Sequence, residues 1–561
     1  MTEAPLGSES PIVHTLENLI APGMRARLSP YVEAAQLSAL FGRLPGPQRR
    51  EASTRAIIEH EQDRVNQLAG HWVAFVNANN KDFAGNDYLE ADFLGAYLAY
   101  YFSVNVAKVQ LVLLDIVRAG QLRGPVRLLD VGVGTGTTAI ALLDFLLAWS
   151  QVCDLYGEPF PVESVELLGI DSSDAALEWA GRVVEGYTDA LGGRATPDGS
   201  GRLEMVRRWT GPARWERHDL ATGSLPDPGR YAPTLVVASN VWNELNAAGR
   251  RTLEGLFAEL PSGATAVLIE PGTRKCACEL MKWRRRFLGS CEGMVALGPC
   301  GQEFGARLPG ACDTCWHVRR EAFQQTALYA AFRAACSGLV TDRRSFDDFE
   351  NHLLSWSYVV LGNRQSAWAG VQAEALPEGD KEREPASVTA RYVGSYYDGG
   401  KPVDYNPDEF SDKGRNRDRE FIKLCPGHSG IEKMAFVRRP GFQIPRLRHG
   451  ELIRLENVVS KEHEGIFCFV PAQDLDWAQV QVVPVADHPR SGFVREYAEH
   501  SGGAVDELAH RLFGFTEMRD FQHEILQRTL TGRNILGIAA TGGGKSECYI
   551  LPAVLLPGLT V

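Results

Sequence analysis

The order of apolar and polar positions divides the chain into segments of different character. In Ser53–Asn79 and Tyr88–Ala119, apolar residues recur every three or four positions with few breakers, which predicts helices. From Pro125 onward, short apolar runs alternate with helical stretches, as in a doubly wound α/β sheet. The pattern therefore predicts a helical region over residues 1–122 and an α/β domain over residues 123–364.

The remaining sequence changes character three times. Residues 365–418 are rich in Pro, Gly and mixed charges, which indicates a linker or an insertion. Residues 419–490 contain short β-rich runs such as Gly465–Val470 and predict a small β-barrel or a curled sheet. In residues 491–561, an apolar run, a glycine cluster and a second apolar run follow one another, so a strand, a turn and a helix are expected there.

An apolar run from Val126 to Val131 leads into a turn of alternating glycines and then a helical stretch. A dinucleotide site would need G-x-G-x-x-G/A, and Gly134, Gly136 and Ala139 satisfy that spacing. Such a site also places a ribose-binding acid about 20 residues further on. The available acid, Asp171, lies farther along the chain. The turn therefore predicts a nucleotide-type cofactor, and the spacing does not favour a dinucleotide.

The same segment resembles the cofactor site of class I methyltransferases, which bind S-adenosylmethionine. In that family an acid ends the first strand, a G-x-G-x-G turn follows, and an acid ends the second strand. The resemblance implies that the methionine end faces Asp130 and the turn, and that Asp171 binds the ribose hydroxyls, since a carboxylate can accept two hydrogen bonds. Further positions implied for the cofactor site are Gly132, Gly134, Gly136, Asp219 near the adenine, and Asn240 at the end of the fourth strand.

The segment after the fourth strand leaves the chemistry open. Val241–Leu245 differs from the Asn/Asp-Pro-Pro-aromatic motif with which amino-methylating enzymes hold an amine. Asn243 and Glu244 are either polar substrate contacts or caps of the next helix. No catalytic residue is predicted. The aromatic positions around Tyr97 are interpreted as packing.

Cysteines are clustered after the predicted fifth strand, at Cys276, Cys278, Cys291, Cys300, Cys312 and Cys315. Thiolates are soft ligands for zinc or iron–sulfur clusters, and a two-residue gap such as that between Cys312 and Cys315 lets both sulfurs reach one metal. The cluster therefore predicts a structural metal site. Zinc and iron–sulfur both remain open on spacing alone.

Residues 297–320 resemble the cysteine region of the methyltransferase-like proteins associated with small ribosomal subunit assembly, and the resemblance extends over about residues 88–440. In that family three clustered cysteines and a distant fourth ligate a 4Fe–4S cluster. The resemblance implies the ligands Cys300, Cys312, Cys315 and Cys425, with Cys291 as a possible replacement for any one of them. It also implies the small ribosomal subunit as a partner.

The glycine cluster near residue 540 has the composition of a phosphate-binding loop. Its residues are Thr541, Gly542, Gly543, Gly544, Lys545 and Ser546. Glycines allow backbone N–H groups to approach phosphates, the lysine reaches the β/γ oxygens, and the serine holds Mg²⁺. This predicts ATP with Mg²⁺ as the ligand.

Residues 513–553 resemble the opening of a RecQ-type superfamily 2 helicase. The resemblance implies that Arg519 and Gln522 read the adenine and that DNA or RNA is a partner. Because no downstream acidic motif follows the loop, we expect the chain to be the front portion of a larger protein.

Composition adds three constraints. The formal net charge of −12 excludes a uniformly basic nucleic-acid coat, so any such surface must be local. No uninterrupted apolar run reaches the roughly 18 residues of a membrane span, and the first residues lack the secretory pattern. We therefore expect a cytoplasmic protein without a membrane partner, whose eleven cysteines stay reduced.

The predicted fold class is α/β: a class I methyltransferase (Rossmann-like) doubly wound sheet, preceded by a helical region and followed by a small β-rich module and a truncated RecA-like helicase start. The predicted function is that of a methyltransferase-like domain joined to an ATP-dependent RecQ-like helicase. The alternative is a catalytically inactive methyltransferase fold that binds nucleic acid or ribosomes and directs the helicase.

Overall fold

A computed structural model gives the conformation of part of the chain. The structure describes residues 11–21, 25–44, 53–77, 91–118, 120–192, 199–227, 231–291, 293–298, 319–336, 353–363, 386–395, 420–425, 433–438, 452–463, 466–471, 481–484, 502–514, 518–530, 535, 537 and 544–555. Its contacts define two compact units. The first contains Met1–Thr273, Arg320–Trp356 and Pro489–Val561, and the second contains Arg274–Arg319 and Ser357–His488. The predicted domain boundaries stay a prediction.

The helices follow the predicted periodicity. In chain order they are α1 (Pro11–Ile20), α2 (Pro30–Phe41), α3 (Thr54–Asn77), α4 (Ala91–Arg118), α5 (Thr137–Tyr156), α6 (Asp174–Gly192), α7 (Gly199–Thr210), α8 (Ala247–Ala258), α9 (Arg274–Ser290), α10 (Ala327–Ala335), α11 (Gly502–Phe513), α12 (Asp520–Leu530) and α13 (Glu547–Leu555). The helical character predicted for residues 1–122 is present in α1 to α4.

The strands alternate with these helices in the first half of the chain and follow one another in the second. They are β1 (Arg25–Ala26), β2 (Gly124–Val131), β3 (Val162–Asp171), β4 (Arg214–Arg217), β5 (Leu235–Ser239), β6 (Thr265–Pro271), β7 (Met294–Gly298), β8 (Arg319–Phe323), β9 (Leu353–Asn363), β10 (Ala386–Ser395), β11 (Glu420–Cys425), β12 (Lys433–Arg438), β13 (Leu452–His463), β14 (Ile466–Pro471) and β15 (Gln481–Pro484).

The first unit contains a parallel sheet in the order β4-β3-β2-β5-β6. Helices α5, α6 and α8 connect its strands, so the sheet is doubly wound from a switch point at β2. The strands are apolar runs because both faces are covered; every residue of β6 is buried. The predicted α/β class is confirmed.

Helices α4 and α5 form the apolar centre of the first unit. Phe93–Arg118 and Thr137–Tyr156 are long and apolar enough to cross a membrane, but 83% and 94% of the respective apolar windows are buried inside the protein. Their apolar character is therefore accounted for by packing in the core.

One charged residue lies in the middle of α5. Asp144 has no exposed surface, and its carboxylate accepts hydrogen bonds from Ser29 Oγ at 2.5 Å, Gln110 Nε2 at 2.8 Å and Tyr187 Oη at 3.0 Å. The guanidinium of Arg511, from α11, lies 2.6 Å from the same carboxylate. A buried carboxylate needs such donors, because an unpaired charge in the interior is costly. Helix α11 is therefore anchored in the core of the first unit.

A second contact attaches α13 to the same core. Thr15 of α1 lies 2.7 Å from the hydroxyl of Tyr156, the last residue of α5, and its Oγ1 donates to the carbonyl of Leu555 at 3.3 Å. The last carbonyls of a helix have no partner within the helix, so a side-chain donor there is favourable. Helix α13 thus packs against α1, which in turn contacts α5 of the α/β domain.

The second unit contains a closed ring of strands. Strands β10, β11, β12, β14 and β13 pair in that order, β13 pairs back to β10, and β15 joins β13. The predicted small β-barrel at 419–490 is therefore present, and the segment predicted as a linker or insertion contributes a strand, Ala386–Ser395, to it. Closure leaves no unpaired edge within the ring.

Candidate functional site

The glycine turn after β2 forms the centre of the candidate site. Gly132, Gly134 and Gly136 have φ values of +67°, +51° and +80°, a region that residues with a side chain rarely adopt. A Cβ at Gly132 would lie 2.5 Å from Cγ2 of Val241, and one at Gly136 would lie 3.1 Å from Cα of Ala180. The turn therefore requires glycine for both its conformation and its close packing, as the sequence predicted.

Asp130 lies near the end of β2, directly before the turn. Its carboxylate is 2% exposed, and Oδ2 has no hydrogen-bond partner in the described part of the chain. Burial raises the pKa of Asp130 to about 7, against the stabilising hydrogen bond from Thr138. The hydroxyl of Thr135, within the turn, is also buried and without a partner among the described residues. Two buried polar groups at the turn can therefore hydrogen-bond to a ligand.

Asp171 ends β3 beside the turn. The parallel register pairs Asp130 with Gly169, so the acids of both strands reach the same edge of the sheet. Asp171 accepts the backbone N–H of Gly134 at 3.0 Å through Oδ2 and that of Ser173 at 2.9 Å through Oδ1. Burial raises the pKa of Asp171, and these backbone hydrogen bonds oppose the increase. The structure therefore brings the two predicted acids and the glycine turn together.

The other two predicted cofactor contacts are held differently. Asp219 is exposed, and its side chain accepts the N–H of Ala221 at 2.8 Å, which caps a short 3₁₀ turn. Asn240 has a left-handed φ of 60°, and its backbone N–H donates to the carbonyl of Ile269 at 2.7 Å. Asn240 therefore directly follows β5 at the same edge as Asp130, whereas a role of Asp219 at the adenine stays a prediction.

The segment after β5 is held by an acid that the sequence analysis did not single out. Glu270, near the end of β6, is 1% exposed; it accepts the N–H of Trp242 at 2.9 Å and a hydrogen bond from the side-chain amide of Asn243. Burial raises the pKa of Glu270 to about 7, against the effect of these donors. The signal in the sequence is an acid at the end of an otherwise apolar strand.

Helix α4 places further polar groups at the end of β5. Asn105 donates to the hydroxyl of Tyr97 at 2.8 Å, and Lys108 donates to Asn105 at 3.1 Å. Tyr97 also hydrogen-bonds to Asn240, and its pKa is raised by burial and by the charge of Glu244. Burial lowers the pKa of Lys108 to about 8. The sequence pattern assigns Tyr97 to packing; the structure adds a hydrogen bond to Asn240, which lies far from Tyr97 in the chain and gives no local signal.

Together, the strand order, the glycine turn at the switch point and the two strand-ending acids define a class I methyltransferase (Rossmann-like) fold. The predicted fold class is therefore confirmed. In this fold class, ligands bind outside the carboxyl ends of the strands, where Asp130, Asp171 and Asn240 are found.

The structure describes the end of the predicted phosphate loop. Gln522 is 5% exposed; its Nε2 donates to the carbonyl of Gly544 at 2.8 Å, and its Oε1 accepts the N–H of Arg519 at 2.9 Å. Lys545 and Ser546 are exposed and precede α13. Two predicted elements, the glutamine segment and the loop, thus lie in direct contact. Thr541, Gly542 and Gly543 lie outside the described residues.

Most of the predicted metal ligands lie outside the described residues. These are Cys300, Cys312 and Cys315, whereas Cys425 is described only as the last residue of β11. Among described side chains, no group of three or more His, Cys, Asp or Glu residues could hold a metal. The iron–sulfur or zinc site stays a prediction.

Comparison with models of known protein families finds no match. Curated proteins match over short segments. The chain is 39% identical over 80 residues to ATP-dependent DNA helicase Q-like 2 of Arabidopsis thaliana, covering 14% of this chain and 11% of that protein. It is 47% identical over 58 residues to the ATP-dependent DNA helicase RecQ of Pasteurella multocida (10% and 9%), and 37% identical over 89 residues to the probable ATP-dependent RNA helicase pitchoune of Drosophila melanogaster (15% and 13%). The chain thus spans about a tenth of the length of these relatives.

Solved methyltransferase structures are also similar to the chain. The SAM-dependent methyltransferase from Thiobacillus denitrificans, solved with S-adenosyl-L-homocysteine, is 17% identical with a TM-score of 0.22, over 46% of this chain and 91% of that one. The methyltransferase domain of bacterial CtHen1 is 14% identical with a TM-score of 0.25, over 46% and 98%.

Proposed function

We propose that the first unit binds S-adenosylmethionine at the glycine turn. The observation that supports this most strongly is the buried Oδ2 of Asp130, which lacks a hydrogen-bond donor within the described residues. The cofactor carries an ammonium group that can supply the missing donor, and ribose hydroxyls that suit the carboxylate of Asp171. When bound, it supplies an electrophilic methyl group. The donor set of the site fits this cofactor.

Three residues outside the turn have defined tasks in this proposal. Asp171 fixes the turn through the N–H of Gly134 and keeps acceptor capacity on both oxygens. Glu270 orients the segment that begins at Trp242 by accepting the backbone N–H of that residue.

Lys108 donates to Asn105, which donates to Tyr97 beside Asn240, and burial lowers the pKa of Lys108 to about 8. We therefore assign Lys108 as a candidate proton acceptor at the end of β5.

Calorimetric titration with S-adenosylhomocysteine tests the cofactor proposal. Asp171→Asn is expected to weaken binding by about tenfold or more, because one hydrogen bond to a charged group contributes about 1.5–3 kcal/mol. Asp174→Asn is the matched control. Asp174 is exposed and pairs with Arg217 at 3.0 Å, so its replacement should leave the affinity unchanged. Equal effects of the two substitutions would contradict the assignment of Asp171.

We further propose that the chain contains part of an ATP-dependent, RecQ-like helicase acting on nucleic acid. The contact between Gln522 and Gly544 supports this, because it ties the adenine-reading segment to the phosphate loop. A fluorescent ADP derivative with Mg²⁺ measures the site directly. Lys545→Ala should weaken its binding about tenfold, since a lysine in this loop reaches the phosphates. If Lys545→Ala binds the ADP derivative as tightly as the wild-type chain does, the assignment of this loop as the phosphate-binding site is contradicted.

A methyltransferase fold can either transfer a methyl group to nucleic acid or only bind nucleic acid without catalysis. Transfer of a labelled methyl group from S-adenosylmethionine to DNA or RNA by the chain would support catalysis. The second candidate, a binding module without transfer, is favoured by one contact: the amide of Asn243 is engaged by Glu270. Cofactor binding without detectable transfer to either nucleic acid would support that second candidate.

The remaining parts of the proposal depend on the sequence alone. They are a 4Fe–4S cluster or zinc held by Cys300, Cys312, Cys315 and Cys425, association with the small ribosomal subunit, and a cytoplasmic location. The absorption spectrum and metal content of anaerobically purified protein test the first. Co-sedimentation with small-subunit particles tests the second.

A further inference from the structure

The carboxylate of Asp144 connects two helices that start at the glycine turn. Helix α5 begins at Thr137, directly after the turn, and Asp144 lies about 10 Å further along this helix, at about 1.5 Å per residue. Helix α6 packs against the same turn, where a Cβ at Gly136 would lie 3.1 Å from Cα of Ala180. Tyr187 of α6 donates a hydrogen bond to Asp144 at 3.0 Å. Both helices therefore link the turn to one buried carboxylate.

Arg511 joins α11 to this carboxylate. Its guanidinium donates to Oδ2 of Asp144 at 2.6 Å and to the backbone carbonyl of Asp144 at 2.9 Å. Two hydrogen bonds from one guanidinium fix its orientation as well as its distance. The ring of Tyr31, from α2, lies 6.4 Å from the ring of Tyr187 and 5.3 Å from that of His510. Helix α11 therefore cannot shift relative to α5 and α6 without breaking a buried charged contact, which is costly.

Helix α11 is connected in turn to the phosphate loop. It contacts α12, and α12 contacts α13, the helix that follows the loop. Gln522 of α12 donates to the carbonyl of Gly544 at 2.8 Å and accepts the N–H of Arg519 at 2.9 Å. Packed and hydrogen-bonded groups therefore form a continuous path from the glycine turn to the loop, and all of them belong to the first unit.

We infer that the contact between Arg511 and Asp144 couples ligand binding at the glycine turn to nucleotide binding at the phosphate loop. The inference rests on the proposed function, which places S-adenosylmethionine at the turn and ATP at the loop. A ligand at the turn orders the start of α5 and the part of α6 that packs there, and Asp144 transmits this order to Arg511 and α11. Because the second ligand then has less of the shared structure to order, each ligand should tighten the binding of the other.

The affinity for a fluorescent ADP derivative with Mg²⁺, measured with and without saturating S-adenosylhomocysteine, tests this inference on the whole chain. The wild-type chain is expected to bind the ADP derivative about fivefold more tightly when S-adenosylhomocysteine is present, at the lower end of the usual range for coupled sites. Arg511→Met should abolish this difference, although each ligand still binds alone. Tyr187→Phe, which removes only the hydrogen bond from α6, should reduce it. The matched control is Arg528→Met on α12, because Arg528 pairs with Glu524 on an exposed surface and its replacement should leave the difference unchanged.

The outcomes separate the inference from the proposed function. If both ligands bind the wild-type chain but S-adenosylhomocysteine tightens the binding of the ADP derivative by less than about twofold, or weakens it, the inference is wrong and the proposed function stands. A difference that Arg511→Met retains, or that Arg528→Met also abolishes, would overturn the inference as well. If the wild-type chain fails to bind one of the ligands, that part of the proposed function is wrong, and the inference with it. If urea unfolding shows that Arg511→Met is unfolded, Asp144→Asn with Arg511→Met takes its place.

Discussion

Replacing Arg511 by methionine should destabilise the first unit strongly, although Arg511 lies 367 residues from its partner Asp144 in the chain. Arg511 is 3% exposed and Asp144 is fully buried, with 2.6 Å between the guanidinium and the carboxylate. Removing one partner of a buried pair costs about 3–5 kcal/mol. Ser29 and Gln110 continue to donate to Asp144, so we expect a loss of about 3 kcal/mol, at the lower end of that range.

The double substitution isolates the ion pair from the loss of packing. Asp144→Asn removes the charge that Arg511 neutralises, so Asp144→Asn with Arg511→Met leaves no unpaired charge in the core. The double variant should therefore lose less free energy of unfolding than the sum of the two single variants, by about 1–3 kcal/mol.

Urea unfolding followed by tryptophan fluorescence gives these free energies. Trp149 lies on α5, has no exposed surface and is close in sequence to Asp144, so it reports on the core. The control is Arg528→Met. Arg528 pairs with Glu524 at 2.8 Å on an exposed surface, and its loss should cost less than about 1 kcal/mol. A cost below about 1 kcal/mol for Arg511→Met, or additivity within about 0.5 kcal/mol, would refute the anchoring of α11 in the core.

Three further predictions concern the site and the metal. Gly132→Ala should abolish binding of S-adenosylhomocysteine, because its Cβ would lie 2.5 Å from Val241; Gly263→Ala, at a φ of +82° with no atom within 4 Å, should leave binding intact in the same titration. Burial raises the pKa of Asp130 to about 7, so the folded state binds the carboxyl proton more tightly than the unfolded state does. The stability that this protonated carboxyl contributes is therefore lost as the pH rises from about 4 to 7. Asp130→Asn should flatten that part of the stability profile measured by urea unfolding, where the slope from this one carboxyl is about 1.4 kcal/mol per pH unit; an unchanged profile would contradict it. Cys312→Ser should lower both metal content and melting temperature, because metal binding contributes to folding free energy; unchanged values of both would argue against Cys312 as a ligand.

Local sequence was sufficient to predict the glycine turn after β2 and the strand and helix on either side of it. A strand, a glycine turn and a helix are adjacent in the chain, and conformations such as the positive φ of Gly136 are requirements that the residue type itself reveals. Asp171 was implied by the resemblance to class I methyltransferases, and the structure places it at the same sheet edge as Asp130. The β-rich composition after residue 419 likewise predicted a small barrel or a curled sheet, and the pairing of the strands shows a closed barrel.

Only the tertiary structure decided the contacts between residues far apart in the chain. The order in which β10 to β14 pair, the approach of Tyr97 to Asn240, and the burial of Arg511 against Asp144 have no local signal. Periodicity shows which face of an element is apolar but not which partner covers it, and a single charge in an apolar helix does not indicate which cation neutralises it. Secondary structure and the cofactor turn follow from short-range conformational preference, whereas strand order and buried pairing follow from the packing of the whole chain.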